Sequence, residues 1–329
     1  MEQNQSIEQL EKSLRELRNQ FVAMTAAHRP ALWSYCLKLT GSPWDAEDLV
    51  QETMLKAFSR MALLGQAVNI RAYLFRIASN SWIDTVRRRQ ATADEFESSE
   101  RLEMGDEKPD SLETREALEV LIETLPPRQR SIVLLVDMFD FKPGEVASMI
   151  DSTEGAVKAA LHRARTTLRS QASVEQTDIK PVRTGVKPPL PVIERYIEAF
   201  NKRDADALVQ LMKEEAVNEI VGDWEEHGVN AMKQSSLYYW RQEKEKTWVE
   251  YGTLFGRPVL FGFRTTTDHD KALSEIIALD IVDNRVVSQR WYFFSPELIE
   301  YAAKLIGVPA KTWGYSFDLL TSENNPHRQ

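Results

Sequence analysis

A short, strongly acidic segment at residues 91–116, ATADEFESSERLEMGDEKPDSLETRE, constrains the architecture more than any other feature of the sequence. Its net charge is −7, whereas residues 1–90 carry +3 and residues 117–171 carry zero. The segment has few aliphatic residues and no periodicity, so burial of apolar surface cannot offset the entropy cost of ordering it. The sequence therefore predicts a flexible linker between two compact parts.

A second break lies at residues 172–191, which include four prolines and show no helical pattern. Such a composition is typical of an extended linker. The chain of 329 residues is long enough for two or three domains. We therefore predict three folded parts, at residues 1–90, 117–171 and 192–329.

Charge, cysteine content and hydropathy exclude several classes of protein. The overall net charge of −9 argues against a generally basic nucleic-acid coat. The single cysteine, Cys36, excludes an intrachain disulfide and a multi-thiolate metal site. The sequence has no apolar run long enough for a membrane span and begins with a polar stretch. We predict a cytoplasmic protein without membrane insertion, metal or cofactor.

Two predicted helices of the first part carry candidate binding residues. The segment DAEDLVQETMLKAF follows the turn Gly41–Trp44 and presents a polar face of Asp45, Asp48, Gln51 and Glu52. The segment AYLFRIASNSWIDTVRRR at 72–89 interleaves basic and aromatic side chains. Arginines bind phosphates and aromatic rings stack on unpaired bases, so this helix is a candidate surface for single-stranded nucleic acid. A solvated helix face would show the same pattern.

The second part ends in two helices separated by a tight turn at residues 151–153. Pro143 suits the first turn of the earlier helix, and Ser152 or Thr153 can cap the later one. The last helix has an apolar stripe and a basic stripe, the latter including Lys158, His162 and Arg165. This pattern fits either a solvated face or a helix-turn-helix that reads the major groove.

Taken in order, these segments resemble the extracytoplasmic-function (ECF) class of bacterial sigma-70 family factors. DAEDLVQET is similar to that family's core-polymerase-binding helix, and AYLFRIASNSWIDTVRRR to its −10 melting and recognition segment. LPPRQRSIVLL together with GEVASMIDSTEGAVKAALHRARTTLR resembles its −35-binding helix-turn-helix. The resemblance implies two all-α sigma domains, region 2 at 1–90 and region 4 at 117–171.

The resemblance also implies partners and contact residues. Core RNA polymerase would contact Asp45, Asp48, Gln51 and Glu52. The −10 element of promoter DNA would contact Arg76, Asn80, Trp82, Asp84, Arg87 and Arg88. The −35 element would contact Lys158, His162, Arg163 and Arg165. The sequence departs from the family at Ala159–Ala160, where a Ser-Arg pair is usual, and at Asp151, where Gly is common. These departures bear on which promoter is read.

The third part begins with two helices and continues in strand-like runs that include a hairpin turn at Asp283–Asn284. This order is similar to the SnoaL-like group of the nuclear transport factor 2 superfamily, a cone-shaped α+β fold that commonly encloses a pocket. We predict a regulatory domain in contact with the sigma domains, with a small ligand as an open alternative. Polar-tipped candidates for the pocket lining are Trp224, His227, Tyr239, Trp248, Asp280 and Trp291.

We therefore predict a multidomain sigma factor that directs promoter-specific transcription initiation and has no catalytic residues. Two other functions fit parts of the sequence. One is a SnoaL-like isomerase or cyclase with a regulatory helical portion, for which Asp223, Glu275 or Asp280 with His227 would supply a base. The other is a helix-turn-helix repressor that acts without polymerase, which leaves the DAEDLVQET helix unexplained.

Overall fold

The computed structural model describes residues 2–61, 69–96, 124–171, 190–242 and 247–315. The chain forms two compact units. The described helices up to residue 171 belong to the first unit, and residues 190–315 belong to the second. Most of the predicted linkers at 91–116 and 172–191 lies outside the described residues.

Four long helices form the first part of unit 1. They are α1 (Glu2–Thr25), α2 (Arg29–Thr40), α3 (Pro43–Met61) and α4 (Ile70–Phe96). Helix α2 ends at Gly41, whose φ of 76° lies in the left-handed region that glycine tolerates. Helix α4 continues to Phe96, so the helix extends into the segment that the sequence assigns to the acidic linker.

Three further helices complete unit 1: α5 (Pro127–Val133), α6 (Pro143–Met149) and α7 (Glu154–Gln171). A π-helical turn, Leu134–Met138, extends α5. The predicted tight turn between α6 and α7 is present, with Asp151 at a φ of 47°. Thr153 caps α7, because its Oγ1 accepts a hydrogen bond from the backbone N–H of Ala156 at 3.2 Å. These two helices form the predicted helix-turn-helix.

The two helical parts of unit 1 share one hydrophobic core. The ring of Phe75 in α4 lies 5.1 Å from that of Phe139 and 5.3 Å from that of Phe141, both in the loop after α5. The ring of Tyr35 in α2 lies 5.5 Å from Phe139. Such aromatic pairs stabilise beyond their buried area. Residues on both sides of the acidic segment therefore pack together in this unit.

Unit 2 is an α+β domain that begins with helices, as the sequence predicts. Helix α8 (Pro191–Asn201) buries Val192, Tyr196 and Phe200 against the sheet core, and α9 (Ala205–Gln210) follows. Asp204 caps α9, since its Oδ1 accepts from the N–H of Ala207 at 2.9 Å. Two short helices, α10 (Val229–Gln234) and α11 (Ser236–Gln242), lie between the second and third strands.

One mixed six-stranded sheet completes unit 2, in the order β2-β1-β6-β5-β4-β3. Its strands are β1 (Met212–Ile220), β2 (Trp224–His227), β3 (Thr247–Leu254), β4 (Arg257–Arg264), β5 (Ala272–Val282) and β6 (Arg285–Tyr292). The predicted hairpin between β5 and β6 is confirmed. Asp283 and Asn284 have φ values of 53° and 59°, as a tight hairpin turn requires.

A final helix, α12 (Pro296–Ile306), follows the sheet and ends at Gly307. Register shifts interrupt the β1–β6, β4–β5 and β5–β6 ladders, and such irregularities bend a sheet. Across the described ranges, no helix combines the length and apolar character that a membrane crossing needs.

Candidate functional site

Helix α3 presents an acidic surface on its exposed side. Asp45, Asp48 and Glu52 are spaced by three and four residues, so they share one side of the helix. Leu49 and Val50, between them in sequence, are buried in the core. The spacing of buried and acidic residues therefore fixes which side of α3 faces solvent.

Residues predicted to contact polymerase also make contacts within unit 1. Asp45 forms an ion pair with Arg89 of α4 at 3.6 Å, and Glu52 pairs with Lys56 at 2.5 Å. The side-chain amide of Gln51 donates to the Oε1 atom of the buried Glu47 at 2.6 Å. The two ion pairs are partly exposed, so a basic partner can compete for the carboxylates of Asp45 and Glu52 at small cost.

An open groove of about 380 Å³ runs along α3 and α4. It combines cationic, amide, hydroxyl and aromatic side chains, which suits the phosphates and base edges of an unpaired strand. Lys56 also donates from Nζ to the Oγ atom of Ser81 at 2.9 Å, which joins the two helices across the groove. The lining residues are Lys56, Arg60, Tyr73, Arg76, Ile77, Asn80, Ser81 and Asp84.

The groove contains three of the six residues predicted to contact the −10 element: Arg76, Asn80 and Asp84. Arg87 and Arg88 lie further along α4, where they are exposed. Sequence reasoning missed Lys56 and Arg60. Their spacing of four residues on α3 was the available signal, since it places both cations on one side of that helix.

Trp82 does not lie in the groove, which corrects its predicted place beside the basic residues of α4. The side chain is 7% exposed, and the guanidinium of Arg130 lies 5.2 Å from the centroid of its ring. Residues that arrive from α5 therefore cover this ring. Its role in the structure is packing.

The four residues predicted to contact the −35 element are all exposed on α7. Val157, Leu161 and Ala164 are buried on the opposite side of the helix. Lys158 pairs with Glu154 at 2.6 Å. His162 and Arg163 lie on the same exposed side.

Arg165 is held by Asp137. Its Nε donates to Oδ2 at 3.1 Å and its Nη2 donates to Oδ1 at 2.5 Å. The ion pair raises the pKa of Arg165, chiefly through these hydrogen bonds. Such a bidentate contact orients the guanidinium and partly neutralises it.

Side chains of α4 and α5 bond to backbone carbonyls across the two helical parts of unit 1. Asn80 donates from Nδ2 to the carbonyl oxygen of Met149 at 3.0 Å. Arg71 donates to the carbonyl of Phe139 at 2.5 Å. A residue of the groove is therefore engaged with the end of α6.

Unit 2 contains a separate cavity of about 140 Å³ that opens to solvent and has a largely apolar lining. Its polar lining residues are Asn218, Ser236, Thr247, Glu275 and Gln289. Its apolar and aromatic lining residues are Phe200, Leu208, Ile220, Trp224, Leu237, Tyr239, Trp240, Trp291 and Phe293.

Three of the six predicted pocket residues line this cavity: Trp224, Tyr239 and Trp291. The other three do not, which corrects the predicted lining. His227 is exposed beside Glu225, and Asp280 is exposed beside Arg257. Trp248 donates from its indole nitrogen to Glu250 at 3.0 Å and packs on Phe263.

A buried hydrogen-bond chain fixes several polar groups at the cavity. The Tyr196 hydroxyl donates to Gln289 Oε1 at 2.7 Å, and Gln289 Nε2 donates to Asn218 Oδ1 at 2.8 Å. Asn218 Nδ2 then donates to Glu226 Oε2 at 2.7 Å. The backbone N–H of Ser236 donates to Glu226 Oε1 at 3.0 Å. The amide orientations are thus set by their partners.

Burial raises the pKa of Tyr196, and the nearby carboxylate of Glu275 adds to that shift. Within the described parts of the chain, no three His, Cys, Asp or Glu side chains are grouped so that they could hold a metal ion.

Comparisons with known proteins assign the helical unit to a family. The model of sigma-70 region 2 matches residues 24–92, which include α3 and the groove. The model of sigma-70 region 4 matches residues 115–168, which include the helix-turn-helix. The ECF RNA polymerase sigma factor SigL of Mycobacterium tuberculosis is 31% identical over 153 residues, covering 45% of this chain and 85% of SigL. The chain belongs to the ECF RNA polymerase sigma factors.

A second relative of this ECF sigma factor is SigG of Mycobacterium tuberculosis. It is 33% identical over 232 residues, which cover 62% of each chain. The present chain therefore spans less than two thirds of the length of SigG.

Two solved structures are also similar to this ECF sigma factor. The extracytoplasmic function sigma factor SigJ of Mycobacterium tuberculosis has a TM-score of 0.33 at 20% identity, over 82% of this chain and 95% of SigJ. A putative polyketide cyclase from Xanthomonas campestris pv. campestris has a TM-score of 0.24 at 21% identity, over 33% of this chain and 91% of the cyclase.

Proposed function

We propose that this chain is a cytoplasmic sigma factor that binds core RNA polymerase and directs it to a set of promoters. The groove along α3 and α4 carries the proposal. It presents Lys56, Arg60 and Arg76 beside Asn80, a combination of cations and an amide suited to the phosphates and base edges of an unpaired DNA strand. Its position within the region 2 match supports the same function.

Each part of the chain has its own role in this function. The acidic surface of α3 binds a basic surface of core polymerase, and the groove holds the −10 strand with one base extruded. The exposed side of α7 enters the −35 major groove, where phosphate contacts fix the position and base contacts select the sequence. The segment between α4 and residue 116 and the segment between α7 and α8 serve as linkers, and residues 192–329 regulate the sigma domains through an intramolecular contact.

Run-off transcription with purified core polymerase and a pool of genomic promoters tests the proposal. The full chain should yield promoter-dependent transcripts. Arg76→Ala should lower their yield about tenfold, since it removes a cation from the groove. Arg195→Ala is the matched control, because Arg195 is exposed on α8 outside the groove. Absence of transcripts with the full chain, despite binding to DNA, would instead favour a repressor.

The proposal includes no catalytic role for unit 2. His227 and Asp280 are exposed outside the cavity, which supports this. Of the candidate bases, Glu275 lines the cavity, but no histidine accompanies it in the described lining. Turnover of a small ketone by the full chain, lost in Glu275→Gln, would contradict it. A protease site placed within residues 172–189 tests the regulatory role: cleavage after holoenzyme assembly should change transcript yield.

A further inference from the structure

We propose that the cavity of unit 2 binds a small organic ammonium ion, with Glu275 as the counter-charge and the surrounding rings as a cation-binding cage. The inference concerns this cavity and goes beyond promoter recognition. It deepens the proposed regulatory role of residues 192–329 by naming the class of ligand.

The rings of the lining form a cluster around Phe200. The centroid of its ring lies 4.9 Å from that of Trp240 at 47° and 5.9 Å from that of Trp291 at 38°. Trp224 and Tyr239 add two more electron-rich rings to the lining. These two distances are direct ring contacts, so Phe200 holds the two tryptophans at the wall of the cavity. The exposed faces of aromatic rings at a cavity wall attract a cation through their quadrupoles, and tryptophan is the strongest of the three aromatic types.

The charge of the lining has one sign. Within the described part of the chain, Glu275 lines the cavity and no Lys, Arg or His side chain does so. Glu275 is 3% exposed. The lining therefore provides a carboxylate for a cation, and the low dielectric of a buried site strengthens that attraction. Outside the lining, the guanidinium of Arg203 lies 4.9 Å from the centroid of the Trp240 ring and so occupies one face of that ring.

Glu275 is held in place by the strand next to it. It lies opposite Gly262 in the β4–β5 ladder, and a Cβ atom at residue 262 would be 2.1 Å from the Glu275 Cγ. The glycine thus gives the carboxylate side chain its room. The second buried acid nearby, Glu226, accepts from Asn218 and from the N–H of Ser236, so its two oxygens serve the hydrogen-bond chain.

The size of the cavity limits the ligand. About 140 Å³ is close to the roughly 150 Å³ of a cavity that holds one benzene molecule. A trimethylammonium group with a short substituent fits this space. The proposed ligand class is therefore a small alkylated amine with few atoms beyond its cationic head.

Choline and 3,3-dimethylbutan-1-ol form a matched pair of probes, because they differ in charge and have nearly the same shape. Calorimetric titration of the full chain should show choline binding at least about tenfold more tightly than the neutral alcohol. Equal affinity for the two probes, or no binding of choline, would overturn the proposal.

Three variants identify the groups responsible. Glu275→Gln keeps the shape and should abolish the preference for choline while leaving binding of the alcohol. Asp280→Asn, on the same strand but exposed, removes the same charge and should leave the preference unchanged. Trp224→Leu should weaken the binding of choline more than the binding of the alcohol. A preference for choline that survives in Glu275→Gln would contradict the assigned counter-charge.

These outcomes are separable from those of the transcription assay. Choline binding without transcription would leave the cavity assignment standing and remove the sigma function. Transcription without choline binding would do the reverse.

Discussion

The guanidinium of Arg130 donates a hydrogen bond at 2.6 Å to the backbone carbonyl of Leu39, a residue 91 positions earlier in the chain. A second nitrogen donates to the carbonyl of Leu125 at 3.3 Å, and the group lies against Trp82. One buried side chain thereby joins α2, α4 and α5. Burial lowers the pKa of Arg130 to about 10, so the group is still charged at neutral pH.

Replacing Arg130 should destabilise unit 1. Arg130→Met keeps most of the apolar stem but leaves the Leu39 carbonyl without its charged donor, which costs about 1.5–3 kcal/mol. Urea unfolding of the full chain, followed by circular dichroism, measures the change. Arg163→Met is the control, since Arg163 is exposed on α7. Equal midpoints for the two variants would show that the Arg130 contacts contribute no net stability.

Charge reversal on α3 should reduce binding to core polymerase. Asp48 is the residue to change, because it is exposed on the acidic surface of α3. Asp48→Lys should lower the affinity at least tenfold by placing like charges together. Fluorescence anisotropy with labelled full chain measures this. Glu198→Lys on α8 makes the same charge change elsewhere, and an Asp48→Lys affinity equal to that of this control would remove the core-binding role.

Release of Arg165 from Asp137 should strengthen contact with the −35 element. In Asp137→Ala the guanidinium is available for a DNA phosphate, and each added phosphate contact steepens the slope of log K against log salt by about 0.9. Holoenzyme binding to a −35 duplex at several salt concentrations measures that slope. An unchanged slope would mean that Arg165 lies too far from the backbone to contact it.

Promoter recognition should displace Asn80 from Met149. The bond to the Met149 carbonyl fixes the orientation of the Asn80 side-chain amide, so rotation of the amide toward a base in the groove would break this bond. Hydrogen exchange at residues 143–150 should therefore be faster in the promoter complex than in the free chain. Equal or slower exchange there would show that the contact persists when DNA is bound.

Cys36 should react with thiol reagents only after unfolding. Its side chain is fully buried, and burial raises the pKa of the thiol well above its ordinary value, so the reactive thiolate is suppressed. A colorimetric thiol assay across the urea transition should follow the loss of helical signal. Rapid labelling of the native chain would reveal local opening around α2.

The sequence predicts the helices, strands and turns of this chain better than it predicts which residues pack against one another. Helical periodicity, the turn at 151–153 and the hairpin at Asp283–Asn284 are local features, and the structure contains all three. The burial of Trp82 depends on Arg130, which comes from a segment beyond the acidic residues. No local pattern on α4 contains that information.

The residues that line the cavity of unit 2 are also hard to predict from local sequence patterns. Strand alternation predicts which side of β5 a residue takes, but not how far along the strand the covering helices reach. Glu275 lies where β5 is buried on both sides, whereas Asp280 lies toward its exposed end. Position along β5 therefore determines that Glu275, and not Asp280, lines the cavity, a distinction that the sequence pattern does not make.

The close approach of Gly262 to Glu275 links two positions that are distant in sequence. A side chain at residue 262 would push the Glu275 side chain out of its present position. A shorter residue at 275 would leave room for a Cβ atom at residue 262. We expect Gly262→Ala to be tolerated only with a smaller partner at 275. In related chains, residues 262 and 275 should therefore change together. A glycine at position 262 then indicates that position 275 still carries the acidic side chain of the cavity.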